Sequence, residues 1–183
     1  MDRKKFIQTS GLGLGIALLP GVATGKQLYK DTEPANNLNP KIIKDEEGEV
    51  LNVLGDIQTH KLLGSETDNQ IVEWVDNVGP GVGIPPHVHT KEDEIFRVIK
   101  GKVEITVGGT TTILEAGDTA FAPKNIPHSW TVVGTEKAKM ITSAFPAGIE
   151  IMFRKLAALP PGPPDFENVA KICQAQGISF LKE

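Results

Sequence analysis

Three of the four histidines in the chain lie, with a glutamate, in two short segments. His87 and His89 are two residues apart, and Glu94 follows shortly after them. Residues two apart on a strand face the same side, so both imidazoles can point at one spot. Imidazole and carboxylate ligands suit first-row divalent metals rather than copper(I) or iron–sulfur clusters. The segment from Gly81 to Gly101 therefore predicts a metal site, with a fourth ligand further along the chain.

Short strands must position these side chains, and the surrounding sequence has the pattern that strands require. From residue 49 onward, short apolar or alternating runs are separated by glycine or proline, with no helical period between them. Such a run favours an antiparallel sandwich or a jelly-roll barrel. We therefore predict an all-β barrel over 49–156, with strands at 50–54, 57–63, 70–76, 94–99, 102–107, 110–114, 118–122, 128–133, 138–145 and 149–153.

The C-terminal residues 157–183 have a different pattern, in which a proline-rich connection precedes one short helix. Asp165 can cap this helix and Gly177 can end it. Between them the apolar residues recur at helical spacing, namely Phe166, Val169, Ile172 and Cys173. A terminal extended segment at 178–181 is predicted to pack behind the helix. Cys173 is predicted to be a buried core thiol.

The composition is typical of a soluble globular protein, with 39% hydrophobic and 23% charged residues. The formal net charge of −4 argues against nucleic-acid binding driven by phosphate attraction. No basic cluster lies outside the N-terminal segment. The single cysteine excludes an internal disulfide and a multi-cysteine zinc site.

Residues 1–25 have the pattern of a bacterial export signal. A basic segment at 2–8 precedes a glycine-rich apolar run at 11–20, and small residues follow at 23–25. The apolar run is too short to span a bilayer. We therefore expect an exported, periplasmic protein with no stable membrane span after processing.

The basic pair Arg3-Lys4 resembles the arginine pair of a twin-arginine signal, with lysine in place of one arginine. A Sec signal and an uncleaved membrane-surface anchor are the alternatives. The polar residues 26–48 that follow predict an extended arm or linker before the barrel.

The metal-ligand segment and a second segment, from Gly117 to His128, together resemble the two conserved-barrel motifs of the cupin superfamily. The first motif is complete, at Gly81, His87, His89, Glu94 and Gly101. The second matches at Gly117, Pro123 and His128, and it differs at Asn125 and Val132, where the family usually has glycine and asparagine. Asparagine tolerates a left-handed backbone nearly as well as glycine does, so the change at Asn125 is mild.

The resemblance covers about residues 49–156 and extends, through the proline-rich tail, to a group of small single-domain cupins that are compared with quercetin-dioxygenase-type enzymes. It implies a double-stranded β-helix, or jelly-roll barrel, and homodimers that are common in the family. It also implies one metal held by His87, His89, Glu94 and His128. These four side chains are also the natural choice from the residues alone, and they suit iron, manganese, nickel, cobalt or zinc.

Strand alternation places apolar side chains beside the predicted metal site. Counting from Glu94 brings Phe96 to the ligand side, and counting from His128 brings Trp130 there. Together with Phe121, these residues are predicted to wall a pocket for an aromatic or otherwise apolar oxygen donor. The alternative is that they fill the barrel core.

Predictions also follow for three further residues. His60 is predicted to be a surface or strand-packing residue. Glu73 and Glu92 are predicted to be solvated, with contact to a metal ligand as the alternative for either.

Two classes of function follow from this metal site. The first is a metal-dependent, oxygenase-type enzyme that acts on a small oxygen-bearing, phenolic substrate, with Glu94 as a base when proton transfer is needed. The second is a non-catalytic protein of the cell envelope that binds a metal or a small ligand. The single cupin segment disfavours a two-cupin oxalate decarboxylase.

Overall fold

The computed structural model describes residues 38–181, in which strands predominate. One 3₁₀ turn lies at Gly64–Glu66. Two α-helices follow the main run of strands, α1 at Ile149–Ala157 and α2 at Phe166–Gln176. The strands are β1 Glu49–Val53, β2 Asp56–Leu62, β3 Val72–Val78, β4 Gly83–His89, β5 Asp93–Lys100, β6 Lys102–Val107, β7 Thr110–Leu114, β8 Thr119–Ala122, β9 His128–Val133, β10 Ala138–Phe145 and β11 Ile178–Phe180.

The strands form two antiparallel sheets that enclose one barrel. The first sheet has the order β1-β2-β3-β10-β5-β8, and the second has the order β11-β4-β9-β6-β7. Several neighbouring pairs, such as β3–β10 and β4–β9, are distant in sequence, as in a jelly roll. Inward side chains of both sheets meet in an apolar cluster that includes Phe96, Val98, Ile105, Trp130 and Met140, and a second cluster joins β3 to the two helices. The predicted all-β jelly-roll fold is therefore confirmed.

Helix α1 corrects the prediction of a strand at 149–153. Its buried apolar residues are Ile149, Met152, Phe153 and Leu156, which recur every three or four positions. Ile151, which strand alternation would place inside, is 53% exposed. A short apolar run fits both periods, and here the helical period decides because it continues to residue 156.

Helix α2 begins and ends as predicted. The Asp165 side chain accepts hydrogen bonds from the backbone N–H groups of Glu167 and Asn168. Gly177 ends the helix in the left-handed conformation, with φ of 101°. Cys173 is buried, and β11 then pairs with β4, which places Phe180 opposite His87.

Two backbone features aim the ligand strands. The register between β4 and β9 shifts between Ile84 and His87, and Pro85 and Pro86 lie at this bulge. A bulge tolerates proline and redirects the strand, so that His87 faces inward opposite His128. Asn125, before β9, has φ of 66°, the left-handed conformation expected where the family motif has glycine.

No helix within residues 38–181 is long and apolar enough to cross a membrane. Residues 1–25 and most of the predicted arm lie outside the described residues. The described part of the arm, 38–48, is mainly exposed.

Candidate metal centre

Three strands bring the four predicted ligands to one place. Strand β4 carries His87 and His89, β5 carries Glu94, and β9 carries His128. All four side chains are buried, and one potential ligand atom from each lies within 4.8 Å of the others. The ligands of two separate sequence segments meet in a single cluster because β4 and β9 are neighbours in one sheet. Strand β5 faces them from the other sheet.

Hydrogen bonds on the outer side of two histidine rings determine which nitrogen is free. His87 Nδ1 lies 2.9 Å from the carbonyl oxygen of Pro85, and His128 Nδ1 lies 3.1 Å from that of Ile126. A carbonyl only accepts, so each Nδ1 carries the proton and donates it. Each Nε2 therefore keeps its lone pair, which is the form that binds metal ions.

The free nitrogens converge on the glutamate. Oε2 of Glu94 lies 3.0 Å from His128 Nε2 and 3.6 Å from His89 Nε2. Imidazole lone pairs and a buried carboxylate that share so small a space form an electron-rich pocket. This donor set fits a first-row divalent cation, since it supplies nitrogen and oxygen ligands and is removed from water.

The electrostatics of His87 and Glu94 agree with this assignment. Burial and the neighbouring His128 lower the pKa of His87 to about 4, so this imidazole is neutral near pH 7. Burial alone would raise the pKa of Glu94, but the adjacent His128 and the other imidazoles outweigh it and lower the pKa. A neutral imidazole and an ionised carboxylate are the protonation states that a metal requires.

Glu92 is not solvated, contrary to expectation, and instead supports a ligand. Its side chain is 1% exposed, and its Oε2 lies 3.5 Å from His89 Nδ1. Gln176 of α2 donates a hydrogen bond to Oε1 at 2.8 Å. Burial would lower the pKa of His89, but Glu92 and Glu94 outweigh burial and raise it. The carboxylate thus faces His89 Nδ1 without a hydrogen bond between them, and Gln176 of α2 holds the carboxylate.

A cavity of about 600 Å³ opens beside the ligands, and its walls are largely apolar. Phe96 and Trp130 line it, as predicted, together with Ile84 and Met152. Phe180 also lines it, and no local pattern indicates this position because β11 reaches the site from the far end of the chain.

Phe121 does not line the cavity, so its predicted place in the pocket is corrected. Its side chain is 51% exposed and stacks on Phe145, with ring centroids 6.4 Å apart. Alternation along β8 turns the neighbouring Ala122 inward, where it is 1% exposed.

The cavity also reaches a polar group of side chains that sequence reasoning missed. Asp56, Gln58 and Asp76 are buried and line the cavity. His60 is buried next to them and stacks on Trp74, with ring centroids 5.9 Å apart. Polar residues at alternate positions of β2, which are Asp56, Gln58 and His60, were the signal for a polar inward face.

Comparison with known proteins identifies the family. The cupin domain family matches residues 74–144, a range that contains all four ligands and runs from β3 to β10. Two solved structures share the fold. KdgF from Halomonas sp. has a TM-score of 0.54 and is 19% identical over 61% of this chain and 99% of that one. An RmlC-like cupin from Shewanella frigidimarina has a TM-score of 0.54 and is 18% identical over 62% of this chain and 96% of that one.

The chain contains a cupin domain over residues 74–144.

Three further proteins are similar to part of this chain. Germin-like protein 3-5 of Oryza sativa subsp. japonica is 26% identical over 60% of this chain and 57% of that protein. Oxalate oxidase GF-2.8 of Triticum aestivum is 29% identical over 56% of this chain and 51% of that protein. Quercetin 2,3-dioxygenase of Bacillus subtilis is 31% identical over 50% of this chain and 27% of that protein. The cupin described here therefore spans less than two thirds of the length of these relatives.

The contact between Glu92 and His89 yields a first prediction. In Glu92→Gln, the amide N–H₂ can face His89 Nδ1, which favours the tautomer that has its proton on Nε2. That tautomer has no lone pair on Nε2, the nitrogen that faces Glu94, so the affinity for zinc should fall by about 10- to 100-fold. Competition against a colorimetric chelator measures this affinity.

The exposed Glu104→Gln is the matched control, since it makes the same change on the outer face of β6. It should bind zinc as the native protein does. An unchanged zinc affinity in Glu92→Gln would show that the carboxylate does not orient His89.

Proposed function

We propose that this cupin is a metal-dependent, oxygenase-type enzyme that acts on a small, oxygen-bearing aromatic substrate of phenolic character. The observation that carries the proposal is the cavity of about 600 Å³ that adjoins the four ligands. Its volume is that of a typical ligand site, and its apolar walls match an aromatic body better than a polar one.

The chemistry of the walls favours a phenolic substrate over a small dianion such as oxalate. No lysine or arginine lines the cavity among residues 38–181. A dianion would depend on the metal alone for charge compensation, and it would leave most of the apolar wall uncovered. The likeness to quercetin 2,3-dioxygenase supports this choice, while the likeness to the oxalate oxidases supports only a related use of the metal site.

Each side chain at the site has a defined role in this proposal. A first-row metal bound by the three imidazoles and Glu94 would supply Lewis acidity toward substrate oxygens and the capacity for dioxygen chemistry. Phe96 and Trp130 hold the aromatic ring against the ligand side of the cavity and exclude water. Glu94, whose pKa is lowered, is ionised near neutral pH and accepts the proton of the substrate hydroxyl at its carboxylate.

Oxygen uptake tests this proposal. Protein loaded with iron, manganese or nickel is mixed with a panel of catechols and flavonols, and we expect uptake with at least one combination. Glu94→Gln should lower kcat by about 100-fold, the size expected for loss of a general base. Metal content is measured in the same samples, because Glu94 is also a ligand.

Phe121→Ala is the control, since this aromatic side chain lies outside the cavity, and its rate should equal the native rate. Metal-dependent binding of the panel without turnover by any metal form would contradict the enzyme and favour the alternative, a binding protein of the cell envelope.

We also propose that the protein is exported to a bacterial periplasm. The support is the sequence of residues 1–25, which lie outside the described residues. Full-length protein with a C-terminal tag should appear in the periplasmic fraction of bacterial cells, shortened by its N-terminal segment. Replacing Arg3 and Lys4 with glutamine should retain the full-length form in the cytoplasm. Unprocessed native protein in the cytoplasm would contradict export.

The homodimer that the family resemblance implies stays a prediction.

A further inference from the structure

A second polar cluster lies in the cavity, apart from the four ligands. It is built on β2 and β3 of the first sheet, whereas Glu94 lies on β5 of the same sheet. Asp76 pairs with Met140 of β10, and Glu94 pairs with Ala144. The two carboxylates are thus two strands apart and four residues apart along the sheet, which corresponds to about 16 Å between their Cα atoms at standard spacing. The cavity connects them.

Hydrogen bonds within the cluster hold Asp76 firmly. Trp74 Nε1 donates to Oδ1 at 2.7 Å, and Thr142 Oγ1 donates to Oδ2 at 2.6 Å. Both oxygens of Asp76 therefore already accept bonds from the protein. Asp76 is 1% exposed, so this carboxyl group is a fixed part of the wall.

Asp56 is only half satisfied by the protein. Gln58 Nε2 donates to its Oδ2 at 2.7 Å and the neighbouring Asp76 carboxyl is a second hydrogen-bond partner, while no amide, ring or hydroxyl donor of residues 38–181 reaches its buried Oδ1. The side chain is 3% exposed and lines the cavity. A buried acceptor without a donor is costly, and such a group in a cavity wall is suited to a ligand that brings the donor.

The charge of the cluster favours a neutral donor over a cation. Burial raises the pKa of Asp56, and burial together with the neighbouring Asp56 carboxylate raises the pKa of Asp76 well above its usual value. The two carboxyl groups can then share a proton, as adjacent carboxylates do. His60, which contacts Gln58, has a pKa of about 4 because it is buried, so it is neutral.

We propose that Asp56, held beside Asp76 and Gln58, forms a distal subsite that accepts a hydrogen bond from a hydroxyl group of the ligand. The ligand class is then narrower than a phenol in general. It is an elongated, multi-ring aromatic molecule with a metal-binding oxygen at one end and a neutral hydroxyl at the other. This inference rests on the proposed function, because that proposal supplies the ligand oxygen that binds the metal.

Intrinsic fluorescence can test the subsite directly. The chain has two tryptophans, Trp74 and Trp130, and both line the cavity. The probes are 3-hydroxyflavone and its 4′-hydroxy, 4′-methoxy and cationic 4′-aminomethyl derivatives. They are titrated into the full-length protein loaded with zinc, which has no redox chemistry and so prevents oxidative turnover. We expect the 4′-hydroxy compound to bind about ten-fold tighter than the 4′-methoxy compound, as one hydrogen bond to a buried acceptor implies.

Two variants identify the residue responsible. Asp56→Asn keeps the size of the side chain and an acceptor for Gln58, but it turns an N–H₂ donor toward the cavity. The hydroxyl preference should disappear, because the methoxy oxygen can now accept a bond. Asp56→Leu should also remove the preference. The exposed Asp118→Asn is the control and should keep it. Circular dichroism and thermal melting show that each variant is folded.

The outcomes separate this inference from the proposed function. Zinc-dependent binding of all the flavonols with no hydroxyl preference, or a preference that persists in both Asp56 variants, would overturn the subsite and leave the proposed function standing. Tightest binding of the cationic compound would also overturn it. No zinc-dependent binding of any flavonol would overturn the proposed phenolic function and the subsite together.

Discussion

Three buried imidazoles and one buried carboxylate point their ligand atoms at a common space, and the rest of the molecule is arranged around this constraint. Lone pairs and a negative charge cannot be held together out of water without a compensating cation. The backbone carbonyls behind His87 and His128 prevent those rings from choosing the other tautomer. The protein therefore pre-forms a cation site through hydrogen bonds that lie outside it, which is how metal proteins orient their ligands.

The C-terminal segment belongs to this site although it lies outside the barrel motifs. Helix α2 carries Gln176, which holds Glu92, and Glu92 in turn faces His89. Strand β11 then adds Phe180 beside His87, with ring centroids 6.1 Å apart. Val169 and Cys173 pack α2 against the core that α1 also joins. The helix pair thus closes the apolar side of the cavity and supports one ligand at the same time.

The sequence predicts the parts of the site that depend on local spacing. His87, His89 and Glu94 are near one another in the chain, and strand periodicity is enough to place them. Helix α2 was predictable for the same reason, since Asp165 and Gly177 are local signals. The strand predicted at 149–153 was wrong because a short apolar run fits both the strand period and the helical period. Only the apolar residues that follow the run show that the helical period applies.

Other features depend on contacts that no local pattern encodes. Glu92 follows His89 by only three residues, but whether it is solvated depends on α2, which lies more than 70 residues further along the chain. Asp56 and Asp76 meet because β2 and β3 are paired, and the sequence gives each of them only as a polar residue on a strand. Phe121 was misplaced because its neighbour Ala122, although much smaller, is the inward residue of β8.

The metal centre is tested most directly by a crystal structure of the zinc-loaded protein, with anomalous data collected on both sides of the zinc edge. The geometry described above predicts one strong anomalous peak per chain, ligated by Nε2 of His87, His89 and His128 and by the Glu94 carboxylate, with Nδ1 of His89 toward Glu92. A peak at other residues, or no peak between these four side chains at full zinc loading, would contradict the assignment.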